Sequence, residues 1–418
     1  MNRQRRVIKL CVVISLAMML TGCWDLTGLD EKVFVIGIGL DKADEKGKIN
    51  ITYLIANAEM GSTMGGGTNE KSSMTITVRA SDFISMKNIA NSVISREISY
   101  DLLRLILVSE ELAKDEEFIR FIYSAIKDRE VKRTVHLLVS KEKAEDFFKI
   151  NKPLFLSRPH KYYVNMLRRA NEVGLIPESR LHYFLRITEA DANLFLAAYT
   201  TTSIKKTEDE FRADENDAIA GDMRVEGETN NSQFLGAAVF LEGKMIGTLT
   251  GVENRMALMI NDTTEVSDVL SVFPDPANKD YQISVRIKKT KNTRVNMDLH
   301  GKTPKIHVTL PIILDVLTDP AMNSPVESKK ELEKIRKGME KYMEGRVKEL
   351  VQRTQQEFKA EPFGWSLYGR KEFKTLKEYK EFDWMKTYPD MKVDIDVSIR
   401  FGKFGEQPKT PSYKEIRD

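Results

Sequence analysis

The amino-terminal leader constrains this chain most, because it determines the compartment in which the rest must fold. The leader carries no acid and four cations: Arg3, Arg5, Arg6 and Lys9. An apolar run follows from Leu10 to Leu20 and stops at Thr21 and Gly22. This order is typical of a secretory signal peptide, and the run is shorter than the roughly 20 apolar residues that a permanent membrane span needs. We therefore expect residues 1–22 to be removed on export.

The apolar run ends in Leu-Thr-Gly-Cys, residues 20–23, which resembles the lipobox of bacterial lipoproteins. In that motif the small residues admit the signal peptidase, and the cysteine thiol receives a diacylglycerol before becoming the first residue of the mature chain. Cys23 is therefore the predicted lipidation site. An ordinary signal peptide with an unrelated cysteine is the alternative.

The cysteine count and the charge limit the classes of protein that fit. Of the two cysteines, Cys11 would leave with the leader, so Cys23 has no partner for an internal disulfide and the fold must rest on its hydrophobic core. Removing the four leader cations turns the formal net charge of +3 into −1, which gives no electrostatic argument for nucleic acid. Residues 23–418 are numerous enough for two or three domains.

Strand and helix patterns alternate in the region 23–202. Three apolar runs, beginning at Lys32, Ile49 and Met74, predict strands. A helix is predicted after Ser81 from apolar residues at approximately helical spacing: Phe83, Ile84, Ile89, Ala90, Val93 and Ile94. The regular alternation that follows predicts a mixed α/β region with neighbouring parallel strands. If the apolar strand near residues 192–201 returns to pair with the first strands, residues of about 81–189 form an insertion.

The pattern changes after this region. Residues 203–233 are polar and acidic, which predicts a linker or an exposed loop, and their acids lack the spacing of a calcium loop. Residues 234–405 begin with a hairpin that turns at Glu242-Gly243 and continue with runs that alternate with period two. A long helix beginning at Ser328 follows, then a last strand and a polar tail, 406–418. The fold class is therefore α+β and multi-domain, with an N-terminal mixed α/β region and a C-terminal antiparallel sheet packed with one long helix.

No catalytic or metal-binding pattern stands out. The histidines are scattered, and none is paired at the spacing of a helical zinc site: His136, His160, His182, His300 and His307. Asp394 and Asp396 alternate with apolar residues, which favours the solvent side of a strand over a catalytic pair. The aromatic segment Pro362 to Gly369 could stack on a sugar or contact a partner, but loop packing is the simpler interpretation. We predict no cofactor, and the sequence identifies no small-molecule site.

A resemblance to a known family lies in residues 22–41, which contain "GCWDLTGLDE" and "VFVIGIGLD". These residues resemble the amino-terminal signature of the Ger(x)C family, the lipoprotein C subunits of spore germinant receptors in endospore-forming Gram-positive bacteria. Trp24-Asp25 and Gly39–Asp41 match, whereas Gly28–Asp30 replaces the usual acidic residue followed by isoleucine. The order of regions along the chain also resembles that family.

The resemblance implies a non-catalytic subunit that is anchored by the lipid on Cys23 to the outer face of the spore inner membrane. It would work with an A subunit and an integral-membrane B subunit to trigger germination in response to nutrients. Two other classes share an exported, anchored chain and stay open at this point. One is a solute-binding lipoprotein of a transporter, and the other is a cell-wall-acting enzyme.

Overall fold

Two β-sheets organise the chain, and they are joined by a buried helix. The structure is a computed structural model, and it describes residues 4–5, 9, 31–56, 73–153, 159–190, 193–204, 217–228, 230–261, 268–275, 280–289, 292–318, 328–405 and 416–417. The signal peptide, Cys23, the glycine-rich segment after residue 56 and most of the polar tail lie outside the described residues.

The larger sheet is mixed and has nine strands. They are β1 (Lys32–Lys42), β2 (Ile49–Ala56), β3 (Ser73–Ala80), β4 (Glu97–Ser99), β5 (Leu105–Ser109), β6 (His136–Ser140), β7 (Phe195–Thr201), β8 (Gln233–Leu241) and β9 (Lys244–Leu249). Their order is β3-β2-β1-β5-β6-β7-β8-β9, and β4 pairs with the start of β1. The strands β1, β5, β6 and β7 run parallel, as the alternation of strands and helices predicts.

Helices cover both faces of this sheet. They are α1 (Phe83–Ala90), α2 (Glu110–Ala113), α3 (Phe118–Ala125), α4 (Ala144–Ile150), α5 (Pro159–Glu172) and α6 (Leu181–Thr188). Leu105 and Leu107 of β5 pack with α4 and α5 on one face, whereas Ile106 and Val108 pack with the other helices on the opposite face. Because both faces are buried, the parallel strands are continuously apolar.

The smaller sheet has five strands and carries the long helix. The strands are β10 (Val269–Pro274), β11 (Gln282–Lys288), β12 (Arg294–Asp298), β13 (Lys305–Val316) and β14 (Lys392–Phe404). The first four pair antiparallel in the order β10-β11-β13-β12, and β14 adds to β13 in parallel. The order of regions and the long helix confirm the predicted fold class, and the parallel addition of β14 is the one pairing that the antiparallel pattern does not describe.

The long helix is α8 (Lys329–Arg353), and it begins where the sequence predicts, because the Ser328 side chain accepts the N–H of Glu331. Its apolar stripe packs along β14. Its acids also cover the outer edge of that strand: Glu344 Oε1 accepts the N–H of Val397 at 3.2 Å, and Glu340 Oε1 accepts the N–H of Ile399 at 2.9 Å. A helical segment then leads to β14 through α9 (Trp365–Gly369), α10 (Leu376–Phe382) and α11 (Trp384–Thr387).

Helix α7 (Gly251–Ile260) joins the two sheets. Nine of its ten residues are buried, all but Glu253. One hydrophobic cluster contains this helix, residues of β8 and β9 in the larger sheet, and the inner faces of the smaller sheet and α8. A single core therefore extends from one sheet to the other.

Two pairings differ from the sequence-based expectation. Strand β7 does not return to the first strands but pairs with β6 and β8, because β5 and β6 lie between it and β1. The predicted hairpin of residues 233–249 forms, with positive φ at Glu242 and Gly243, but it extends the larger sheet. The predicted domain boundaries, and the insertion of about 81–189, stay predictions.

The polar segment 203–233 is not exposed throughout. Among its described residues, Ala218 and Ala220 are buried in the core of the larger sheet, and the Ala218 carbonyl accepts the N–H of Gly251 at the start of α7. Asp217 forms an ion pair with Arg346 of α8. The expectation of a linker or exposed loop is therefore wrong for residues 218–222, because small residues can pack even in a polar sequence.

Helix α1 also differs from its prediction. It buries Phe83, Met86 and Ala90, and its cap is Asp82, whose Oδ1 accepts the N–H of Ser85 at 2.8 Å, and not Ser81. Three apolar side chains that the spacing assigns to the buried face are exposed instead: Ile84, Ile89 and Val93.

Arg353 at the end of α8 forms an ion pair that holds this helix against α7. Its Nη1 lies 2.8 Å and 2.7 Å from the two carboxylate oxygens of Glu253, and its Nε lies 2.8 Å from Glu357 Oε2. We predict that Arg353→Lys lowers the free energy of unfolding by about 1–2 kcal/mol, because an ammonium cannot reproduce the planar guanidinium geometry. Urea denaturation measures the change. The control Arg168→Lys alters an exposed pair within one helix and should cost less than about 0.5 kcal/mol; equal losses would contradict this role of Arg353.

Candidate functional site

The predicted lipidation site lies just before the folded part of the chain. Cys23 is outside the described residues, which resume at Glu31, immediately before β1. Lys32, the first residue of β1, is paired with Glu97 of β4. The chain that follows Cys23 therefore enters the fold at the end of the larger sheet where β1 begins.

The two glycines of the signature strand allow a helix to pack closely. A Cβ atom on Gly39 would lie 2.9 Å from the Cβ of Ala144 and 3.1 Å from the Phe148 ring, and one on Gly37 would lie 3.1 Å from the same ring. Real Cβ atoms essentially never approach within 3.0 Å of another heavy atom. Helix α4 therefore rests directly on the backbone of β1.

Asp41 fixes the amino terminus of the same helix. Its side chain is buried, and its two carboxylate oxygens accept the N–H groups of Ala144 at 2.7 Å and of Glu145 at 3.0 Å. Burial raises the pKa of Asp41, and the two N–H donors oppose that rise. The strand does not turn at Gly39–Asp41 but continues to Lys42. The matched signature residues thus have a structural role in docking α4.

We predict that Asp41→Ala lowers the free energy of unfolding by about 2 kcal/mol, because it leaves two buried N–H groups of α4 without an acceptor. Asp44→Ala is the control, since Asp44 is fully exposed and should change stability by less than about 0.5 kcal/mol. Chemical denaturation of both variants provides the comparison. A loss for Asp41→Ala as small as that of the control would remove the capping role.

The polar residues that could carry catalysis are dispersed. Burial and the charge of Arg180 lower the pKa of His136 to about 4, and His307 Nε2 lies 3.3 Å from Asp396 Oδ2 on the surface. Asp394 and Asp396 are exposed on β14, which confirms the solvent-face interpretation. Within the described ranges, no group of three or more histidine, cysteine, aspartate or glutamate side chains could hold a metal ion.

The aromatic segment Pro362 to Gly369 is part of the core. Phe363 and Trp365 are fully buried, with ring centroids 4.6 Å apart, and Trp365 also lies against Tyr388. Their faces are therefore closed to a sugar ring. Core packing therefore accounts for these two aromatic residues, although residues 365–369 form α9 and Leu367 is exposed.

Glu361 is a buried acid that the sequence analysis missed. It is fully buried, and its carboxylate accepts the N–H groups of Phe363 at 2.6 Å and Ser366 at 2.9 Å. Its carbonyl accepts the N–H of Leu194, which precedes β7, so the loop also connects the two halves of the chain. Burial raises the pKa of Glu361 to about 8. The only sequence signal is an acid within an otherwise apolar run.

The raised pKa of Glu361 predicts a pH-dependent stability. Between the ordinary carboxyl pKa of 4.5 and about 8, the folded protein retains a proton that the unfolded chain releases. Stability should therefore fall as the pH rises through this window, by up to about 1.4 kcal/mol per pH unit from this group. Glu361→Gln should remove this part of the slope, whatever its own stability. Glu381→Gln, at an exposed site, should retain it. The free energy of unfolding is measured from pH 4 to 9 for each chain. Parallel pH curves for the wild type and Glu361→Gln would contradict the assignment.

No helix in the part of the chain that the structure describes is both long enough and apolar enough to cross a membrane.

Two sequence profiles match successive parts of the chain. Residues 25–201 match the profile described as the spore germination protein N-terminal domain. Residues 235–405 match the profile described as spore germination B3/GerAC-like, C-terminal. Both profiles begin after Cys23, and the interval between them corresponds closely to the polar segment.

Individual proteins are similar over nearly the whole chain or over about a third of it. Spore germination protein B3 of Bacillus subtilis (strain 168) is 22% identical over 405 residues, which cover 95% of this chain and 98% of that protein. Spore germination protein A3 of the same organism is 27% identical over 144 residues, 34% of this chain and 37% of that protein. The crystal structure of the GerBC protein superimposes with a TM-score of 0.53 at 15% identity, covering 87% of this chain and 96% of that chain, which indicates a shared fold.

Proposed function

Because the chain belongs to the Ger(x)C family of spore germination proteins, we propose that it is the lipid-anchored, non-catalytic C subunit of a spore nutrient germinant receptor. The observation that carries the proposal is the agreement between the leader and the family match. The match begins at residue 25, two residues after the cysteine of the lipobox-like motif.

The proposed anchor is a diacylglycerol on Cys23, which holds the protein on the outer face of the spore inner membrane. Two acyl chains give a stable attachment, whereas a single chain gives only a marginal one. Confinement to the membrane plane raises the effective concentration of the subunit near other membrane proteins. Weak contacts are then sufficient for assembly with the A and B type subunits.

A non-catalytic role is supported by the way the polar residues are used. The buried acids Asp41 and Glu361 both accept backbone N–H groups, and His307 pairs with Asp396 on the surface. The aromatic segment that could have bound a ligand is packed inside. We therefore propose that the protein acts through assembly and not through a reaction of its own.

The two alternative classes receive less support. A transporter's solute-binding lipoprotein normally consists of two similar α/β lobes around a cleft, whereas the sheets here differ in strand number and order. A cell-wall-acting enzyme would need carboxylates that are available for catalysis. Asp394 and Asp396 are instead paired with Lys392 and His307 on an open strand face. Neither arrangement favours these functions.

We predict that Cys23→Ala abolishes the diacylglycerol modification and releases the protein from the membrane, because this thiol is the proposed acceptor. Mass spectrometry of the mature chain and fractionation of spore membranes measure the two effects. Cys11→Ala is the matched control, since Cys11 lies in the leader and should leave both unchanged.

The same variants test the receptor assignment. Affinity purification of the tagged protein from detergent-solubilised spore membranes should recover multi-spanning subunits with the wild type and with Cys11→Ala, and fewer with Cys23→Ala. Recovery of a transporter permease instead would support solute capture. A Cys23→Ala chain that is still acylated would overturn the proposed anchor.

A further inference from the structure

The end of the larger sheet at which β1 begins, called here the β1 end, is built from four parts of the chain. Lys32 of β1 lies beside Glu97 of β4. The N–H of Arg104, just before β5, donates to the Ile36 carbonyl at 3.0 Å, and the Arg104 carbonyl accepts the N–H of His136 at 3.0 Å. The loop 126–135, which leads into β6, therefore lies at the same end as the start of β1.

A partly buried ion pair holds helix α1 against this loop. Glu130 Oε1 lies 2.9 Å from the Lys87 ammonium of α1, and Glu130 Oε2 accepts the N–H of Tyr100 at 3.2 Å. Lys132 Nζ lies 3.5 Å from the Asp101 carbonyl. The carboxyl-terminal half of α1, the start of β1 and the loop 126–135 thus form one surface.

Apolar side chains are exposed on this surface. Val93, in the turn after α1, is 71% exposed, and Ile89 is 45% exposed. Met74, at the start of β3, is 53% exposed and lies level with the start of β1 in the sheet register. Since the core positions of α1 are already filled by Phe83 and Met86, these side chains have no packing role inside the molecule.

Exposed cations lie on the loop that contacts α1 through Glu130 and Lys87. The loop 126–135 presents four of them: Lys127, Arg129, Lys132 and Arg133. The two acids among them are only partly exposed and take part in internal bonds, because Glu130 binds Lys87 and Asp128 accepts the N–H of Glu130 at 2.9 Å. Three exposed acids, Glu31, Glu97 and Asp101, also lie at this end, but the four loop cations outnumber them. The surface therefore offers positive charge together with apolar groups, a composition that fits an anionic phospholipid membrane.

The length of the tether favours this end over the opposite one. Cys23 and Lys32 are separated by nine residue steps, which span at most about 30 Å when fully extended. Strand β1 spans ten residue steps, about 33 Å, so only a fully extended tether would approach its opposite end. A lipid on Cys23 therefore reaches the membrane most readily when the β1 end faces it.

We propose that the β1 end lies directly on the membrane, with Met74, Ile89 and Val93 at the boundary of headgroups and acyl chains and the loop 126–135 on anionic phosphates. This inference rests on the proposed lipidation of Cys23 and adds to it a fixed orientation. The anchor alone would leave the protein free to tumble on its tether.

Spin labelling tests the orientation. After removal of the leader and acylation of Cys23, a Val93→Cys variant has a single free thiol. The lipid-modified chain, labelled at position 93, is reconstituted into vesicles of phosphatidylcholine and phosphatidylglycerol. We expect the ratio of oxygen to nickel-chelate accessibility to be at least about threefold higher than for the same label at Ile84→Cys, which is exposed on the first turn of α1.

Charge reversal supplies a second arm. Lys132→Glu with Arg133→Glu should bring the ratio at position 93 down to that at position 84. Lys141→Glu with Lys143→Glu is the matched control, because both lysines are exposed at the opposite end of β6, and it should leave the ratio unchanged. Vesicles of phosphatidylcholine alone should lower the ratio in the parent chain.

Three outcomes would overturn the proposal. They are equal ratios at positions 93 and 84, no effect of the Lys132 and Arg133 reversal, and protection of position 93 only in native membranes, which would assign the surface to a protein partner. Mass spectrometry of the labelled chain separates this inference from the proposed function. If Cys23 carries no lipid, the accessibility ratio at position 93 is measured on the Cys23→Ala chain mixed with vesicles. A label that is exposed to water in that experiment would also overturn the proposal.

Discussion

The burial of helix α7 is the constraint on which the rest of the molecule depends. A helix with nine buried residues needs apolar neighbours on every side, and here the two sheets and α8 provide them. Several of its polar groups have hydrogen-bond partners, although Asn254 Oδ1 is buried without one among the described residues. Thr250 and Glu253 form a capping box at its start, and Asn254 donates to the Gly174 carbonyl at 3.1 Å. Loss of either sheet would expose this helix to water.

The continuous core has a consequence for the proposed orientation. Because the core passes from the larger sheet through α7 to the smaller one, the two sheets have little freedom to move separately. If the β1 end lies on the membrane as proposed, the direction in which the smaller sheet and α8 face is also fixed. The loop around Glu361, bonded to Leu194 before β7, adds a second connection between the halves.

Local patterns predicted local structure well. Continuous apolar runs predicted the strands β1 and β5 to β7, because both faces of these strands are buried. The long helix was predicted to pack on the sheet, and the apolar residues of α8 contact β14. Pairing between distant segments could not be predicted in the same way. Period-two alternation places residues on faces but does not choose a neighbour, so the parallel addition of β14 and the place of β7 were missed. For α1, helical spacing could not distinguish a buried apolar side chain from an exposed one.

The parallel pairing of β13 and β14 determines when the smaller sheet can be completed. Strand β13 is the central strand of this sheet. Its parallel partner β14 follows in the chain only after α8 and the helical segment. A chain that is synthesised from its amino terminus therefore spends a period with one edge of β13 open, and such edges template intermolecular pairing. Once β14 docks, Glu340 and Glu344 occupy two of the N–H groups on its outer edge. The helix that delays closure of the sheet thus also protects the finished edge from aggregation.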